Sequence, residues 1–251
     1  MQRLRDLDLD RHLRDPTLKP AFVTPMFDII APRYDDFTRL FSFGMDVKWK
    51  RIMVARALAA RRDLGDAVDL ACGTGDLAFA VAAERTAARV VGIDASTEML
   101  TLARARAAAL GAGLDARIRF LDGDMSALPL PARSADLITC GYGFRNADLH
   151  PALAECARVL RPGGVLAVLD FYRPDAWLWR FLFLGYLRAA GNLVGWLWHR
   201  EPVVYGYIAA SIDTYVSAPQ FVRAADDAGF YIVTSASFLA GGVGLHVLRR
   251  R

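Results

Sequence analysis

The sequence predicts an open α/β sheet, doubly wound and mostly parallel, on three observations. Short apolar runs alternate with amphipathic segments of helical period from about residue 67 to 171. The run Val68-Asp69-Leu70 enters a turn, Ala71-Cys72-Gly73-Thr74-Gly75, from which a helix opens at once. A second apolar run, Val90 to Ile93, ends in an acid, Asp94, 19 residues after Gly75.

Residues 1–20 are charged and lack an apolar segment, so they read as a flexible arm and not as a signal peptide. Residues 21–60 read as helical, with Pro25 and Pro32 as boundaries, and form a lid. Strands are expected at 67–71, 89–93, 117–121, 135–141 and 164–171, with helices at 75–85, 96–111 and 147–160. An apolar insertion, 174–215, follows the fifth strand. A helix at 218–228 and strands at 230–238 and 243–249, joined at Gly241-Gly242, complete seven strands with an antiparallel last one. No repeat or low-complexity linker divides 21–251, which reads as a single domain.

Ligands of such sheets lie outside the carboxyl ends of the strands. Gly73 and Gly75 can adopt positive φ and let a ligand lie on the main chain, but Gly73-x-Gly75-x-x-Ala78 also fits a dinucleotide fingerprint, leaving a nicotinamide dehydrogenase as the competitor. A pyrophosphate wants a helix N-terminus free of negative charge, whereas Asp69 and Asp76 stand there. S-adenosylmethionine carries a sulfonium and an ammonium and no phosphate, and suits them better; Asp94 can accept from both ribose hydroxyls. Asp76 can equally be a helix cap. Asp122-Gly123-Asp124-Met125, Gly141-Tyr142-Gly143-Phe144-Arg145-Asn146 and Asp170-Phe171-Tyr172-Arg173-Pro174 follow the next three strands. Arg145 and Asn146 put a fixed cation and an amide near the reactive end of the cofactor; a loop salt bridge and a helix N-cap are their plain alternatives.

The net charge of +4 is modest and spread along the chain, which disfavours a nucleic-acid partner. The 54% hydrophobic content points to an apolar ligand or membrane contact. Cys72, Cys140 and Cys156 read as buried thiols of a cytosolic protein, and no Cys or His group has metal-ligand spacing. No uninterrupted apolar run is long enough to cross a bilayer.

Met26-Phe27-Asp28-Ile29-Ile30-Ala31-Pro32-Arg33-Tyr34-Asp35, Ser42-Phe43-Gly44-Met45-Asp46, Gly73-Thr74-Gly75-Asp76, Gly143-Phe144-Arg145-Asn146, Arg161-Pro162-Gly163-Gly164 and Tyr205-x-Tyr207 with Ser211-Ile212 follow one another in this order. Together they resemble the ubiquinone/menaquinone biosynthesis C-methyltransferases. The resemblance implies a Rossmann-like class I methyltransferase that moves a methyl group from S-adenosylmethionine to a ring carbon of a polyprenylated quinol, with a lean to a demethylmenaquinol-like naphthoquinol. It implies cofactor contacts at Thr74, Asp94, Asp124 and Met125, with Tyr34 closing over them. Thr38, Ile208 and Val216 depart from the family pattern in segments expected to form the lid or quinol pocket.

The expected cofactor site comprises Tyr34, Asp69, Ala71, Cys72, Gly73, Thr74, Gly75, Asp94, Ala95, Met99, Asp124, Met125 and Gly141, and the catalytic group is Arg145, Asn146 and Tyr34. Arg145 would stabilise a phenolate and Asn146 orient the ring oxygen. A water, Asp28, Tyr34 or a histidine remains open as the base, with His199 the foremost histidine and His246 read on an edge strand. Trp177, Trp179, Trp196 and Trp198 concentrate in 176–198. This cap reads as a prenyl tunnel touching the inner face of a membrane, or as a buried helix pair without lipid contact. Homo-oligomerisation stays open.

Overall fold

The computed structural model describes residues 9–15, 18–111, 113, 116–200 and 203–251. Helices α1 (Leu9–Arg14), α2 (Lys19–Ile30), α3 (Tyr34–Phe41) and α4 (Met45–Ala60) precede the sheet. Strands β1 (Asp66–Leu70), β2 (Arg89–Asp94), β3 (Ile118–Asp122), β4 (Ala135–Gly141) and β5 (Leu160–Phe171) alternate with α5 (Asp76–Glu84), α6 (Thr97–Leu110) and α7 (Leu149–Val159). Then come α8 (Trp177–His199), α9 (Val203–Thr214), α10 (Ala218–Asp227), β6 (Phe230–Phe238) and β7 (Val243–Arg250).

The sheet has seven strands in the order β3-β2-β1-β4-β5-β7-β6. The first five are parallel, and β7 runs antiparallel between β5 and β6. β7 is therefore an interior strand, which corrects the edge position expected for His246. Side chains alternate in direction along each strand, so Val68, Leu70, Ile138 and Val168 feed one core layer and Ala67, Leu137, Ala167 and Val247 the other.

Local sequence sets the helix starts. Ser96 caps α6 by accepting from Met99 N at 3.2 Å, and Ser217 and Gln220 form a capping box at α10. Pro25 lies inside α2 and does not end it: Phe22, Val23, Met26 and Ile30 are buried and hold the helix together across the missing hydrogen bond. The arm expected over 1–20 also differs. Leu9–Arg14 is helical, and Leu13 is buried in one cluster with Phe22, Met26 and Tyr207; residues 1–8 and 16–17 lie outside the described residues.

The insertion folds as α8 and α9, packed so closely that a Cβ on Gly191 would stand 2.8 Å from Tyr205 O. Among the described residues no helix is long and apolar enough to cross a membrane.

Candidate active site

Two cavities open at the carboxyl ends of the parallel strands. The first, about 330 Å³, has Tyr34, Ala71, Gly73, Asp94, Ala95, Met99, Asp124, Met125, Gly141 and Asn146 on its wall. Gly73 (φ +53°) turns the chain there, and Ala71 takes a left-handed φ of 48° beside it, a strained conformation for a residue with a Cβ. Asp94 accepts from Gly73 N at 2.8 Å and Ser96 N at 2.9 Å, tying the β1 turn to the β2 loop. Burial raises its pKa above the ordinary carboxylate value. The described charged residues on this wall are Asp94, Asp124 and Asp148, with no Lys or Arg.

Asp69, Cys72, Thr74 and Gly75 stand off this wall. Asp69 lies beneath the turn, accepting from Ala78 N at 3.0 Å and Thr139 Oγ1 at 2.8 Å, and burial pushes its pKa up to about 7. Asp76 is paired with Lys50 (2.9 Å) and Arg106 (2.7 Å). Both acids that favoured a cationic cofactor are thus engaged within the protein; Asp94, Asp124 and Asp148 carry the cavity's negative charge instead. The Thr74 hydroxyl donates to Asp35 at 3.0 Å, the Cys72 thiol is buried, and Gly75 lets Phe79 pack against its α-carbon, where a Cβ would meet that ring at 2.7 Å. Gly143 likewise serves close packing, because a Cβ there would lie 2.6 Å from that of Ala71.

The second cavity, about 300 Å³, is lined by Phe37, Phe41, Phe171, Trp179, Phe183 and other apolar residues, with Arg145 its described charge. Thr38 and Ile208, two of the departing residues, are on this wall; Val216 instead packs under α10 in the core. Tyr34 and Tyr142 line both cavities. Tyr142 holds a left-handed φ of 62°, which turns the chain between β4 and the Phe144–Asn146 turn.

Arg145 is buried and held on several sides. Its Nη1 donates to Ser211 Oγ at 2.9 Å and Asn146 Oδ1 at 3.1 Å, and its Nε lies 3.6 Å from Asp170. The guanidinium also faces the rings of Phe171 and Tyr207 at 5.8 and 5.7 Å. Burial raises the Asp170 pKa to about 6 against the opposing pull of Arg145. Asn146 accepts a further hydrogen bond from the Tyr207 hydroxyl and donates to Tyr142 O at 3.2 Å. Burial raises the Tyr34 phenol above its ordinary value, so it is protonated at neutral pH and able to donate.

Of the open candidates for a base, Tyr34 is on both cavity walls, whereas Asp28, His199 and His246 lie elsewhere. Asp28 accepts from the Ser96 hydroxyl at 2.5 Å, and His199 bonds the Tyr205 hydroxyl at 3.0 Å, off both cavities. His246 is buried beside Tyr172, Phe221 and Ser235. Tyr142 and Asp170 lie in segments expected to line the pocket but were given no role there, and neither Ser211 nor Lys19 was expected at the site. Tyr142, flanked by two glycines after the fourth strand, carried a local signal, and Ser211 stood in a family motif with no role attached; Lys19, which reaches Arg145 from 126 residues away, carried none.

The sheet order with its antiparallel seventh strand, and the paired cavities over the glycine turn, define a class I methyltransferase. A geranyl diphosphate methyltransferase solved in complex with SAM shares this fold, with a TM-score of 0.62 at 16% identity, over 81% of this chain and 85% of that one. Residues 16–249 match the ubiE/COQ5 methyltransferase family, and the chain belongs to it. It is 39% identical over 225 residues to the demethylmenaquinone methyltransferase of Thermus thermophilus, covering 88% of this chain and 98% of that protein. It is 36% identical over 240 residues to the 2-phytyl-1,4-naphtoquinone methyltransferase of Synechococcus elongatus, covering 92% and 98%.

Proposed function

We propose that this enzyme transfers a methyl group from S-adenosylmethionine to a ring carbon of a prenylated naphthoquinol, as in respiratory quinone biosynthesis. The observation that carries the reading is an acidic cavity joined, at Tyr34 and Tyr142, to an apolar cavity whose described charge is Arg145. The first fits a cationic donor: three carboxylates and no cation face it, Asp94 is set for ribose hydroxyls, and Met99 and Met125 offer apolar cover. The same wall would repel a pyrophosphate. The named substrates of the Thermus and Synechococcus relatives support a naphthoquinol in the second cavity.

S-adenosylmethionine, when bound, supplies an electrophilic methyl group. The chain must then make an aromatic carbon nucleophilic and keep it aligned. A carbon beside a phenolate is electron-rich, and Arg145 favours that phenolate by a charge-assisted hydrogen bond in a low-dielectric site. Tyr34, protonated at the junction of the cavities, donates a second. Asn146, with Oδ1 engaged by Arg145 and Tyr207 and one amide hydrogen donated to Tyr142 O, retains a second amide hydrogen with which to orient the ring oxygen. No carboxylate or imidazole among the described residues faces the apolar cavity. Arg145 therefore lowers the acidity barrier electrostatically and water takes the proton.

The prenyl tail runs along Phe37, Phe41, Phe183 and Tyr186 toward the surface. Phe43, on the wall of this cavity, is 82% exposed, and Trp177 and Phe181, four residues apart on α8, are 71 and 72% exposed, apolar side chains fit for the headgroup boundary of a membrane that delivers the substrate.

The test is transfer of labelled methyl from S-adenosylmethionine to a reduced short-chain demethylmenaquinone, with the oxidised form as control. Label is expected in the reduced acceptor only. Absence of transfer, with S-adenosylhomocysteine still bound, rejects the substrate reading.

A further inference from the structure

The Phe144–Asn146 turn carries Arg145, on the wall of the apolar cavity, and Asn146, on the wall of the donor cavity, and its main chain is held from outside the sheet. Lys19, at the start of α2, donates from Nζ to Arg145 O at 2.9 Å and to Ala147 O at 3.4 Å. Two carbonyls flanking Asn146 are thereby fixed by one ammonium, in a site where burial and the neighbouring Arg145 lower the lysine pKa to about 8. Placing a second cation beside a buried guanidinium is unfavourable. Hydrogen bonds to two otherwise solvent-seeking carbonyls, and the nearby Asp148 and Asp170, offset it.

The same helix closes the donor cavity through Val23, Thr24 and Phe27. Farther along it, Asp28 accepts from the Ser96 hydroxyl, and Ser96 N donates to Asp94. α2 is thus tied to the donor loop through Asp28 and to the acceptor turn through Lys19. We infer that Lys19 is a positioning residue for methyl transfer: docking of α2 over the donor cavity sets, through Lys19, the main-chain shape of the turn that presents Arg145 and Asn146. It deepens the proposed quinol methylation and rests on that reading.

The inference is tested with Lys19→Met, Lys19→Gln and Lys19→Arg in the full chain. The readouts are turnover on reduced short-chain demethylmenaquinone, S-adenosylhomocysteine affinity by calorimetry, and hydrogen exchange of peptides covering 143–148. Lys19→Met is expected to lower kcat about tenfold or more while cofactor affinity changes less than about threefold, and to speed exchange in 143–148. Lys19→Arg, which keeps the charge and several donors, should recover most of the turnover, with Lys19→Gln between. A kcat within twofold of wild type in Lys19→Met, an equal loss of kcat and cofactor affinity, or no recovery in Lys19→Arg would overturn it. Should Lys19→Met fail to fold, the order of the Arg and Gln variants decides. If the wild type methylates no quinol, the substrate reading fails by itself, and protection of 143–148 in the wild type against the variants still decides the role of Lys19.

Discussion

Arg145 Nε lies 3.6 Å from Asp170 Oδ1, and the two side chains are only 5% and 0% exposed. Asp170 also accepts from the backbone N–H of Arg145 at 3.2 Å, so one carboxylate holds both the main chain and the side chain of the residue that meets the acceptor. Removing one member of a buried pair leaves the other charged and unsatisfied, which costs about 3–5 kcal/mol. Asp170→Asn is expected to lose about 3 kcal/mol in urea denaturation and to lower kcat. Unchanged stability would mean that the pair contributes nothing net.

Ser211 accepts from Arg145 Nη1 at 2.9 Å and donates to Ile208 O at 2.9 Å, one helical turn back. Ser211→Ala deletes this acceptor together with the local bond to Ile208 O, freeing the guanidinium to swing toward Asn146. A loss of about 1.4 kcal/mol in transition-state stabilisation, a tenfold fall in kcat/KM, is expected with little change in the melting temperature.

Gly143 lets the β4 loop lie close against the β1 turn. A Cβ would stand 2.6 Å from Ala71 Cβ and 2.7 Å from Cys140 Sγ. Gly143→Ala should therefore push apart the Ala71 and Gly143 sides of the donor cavity, costing about 1–3 kcal/mol and weakening S-adenosylhomocysteine binding. Calorimetry and thermal melting read the two effects on one sample.

The exposed cluster of Trp177 and Phe181 lies off both cavity walls. Trp177→Ser with Phe181→Ser should reduce co-sedimentation with lipid vesicles several-fold and leave turnover of a soluble short-chain quinol unchanged. Equal sedimentation of variant and wild type would reject the membrane face.

His246 has the clearest pH signature. Burial lowers its pKa from the ordinary 6.5 to about 4, so between those values the unfolded chain binds the extra proton. Stability therefore rises with pH across this window, and its contribution is lost as pH falls from 6.5 to 4, by about 3 kcal/mol in full. Relative to wild type, His246→Phe should grow more stable by a similar amount as urea melts are moved from pH 7 to pH 4.

The succession of strands along the chain, the glycine turn and Asp94 after the second strand were legible because they are local: a strand period, a backbone conformation and a chain reversal each have their own residues. Arg145 and Asn146 were legible too, as a cation and an amide at the carboxyl end of a strand with no neighbour to explain them. The acids around the turn are different. Asp69 and Asp76 are close in sequence to the cofactor turn, yet one points beneath the sheet end to Ala78 N and the other is taken up by Lys50 and Arg106. Proximity in sequence does not say which way a side chain points.

The sequence by itself determined the open α/β sheet, the strand ends at which its cavities open and the family to which the chain belongs, since each rests on contiguous motifs. Only the tertiary structure decided that β7 is interior, that Tyr34 and Tyr142 join two cavities, and that Arg145 is anchored by Asp170, Ser211 and, through its carbonyl, Lys19. Those partners lie 25, 66 and 126 residues away in the chain. Their association is enforced by burial of the elements that carry them, and no local pattern encodes it.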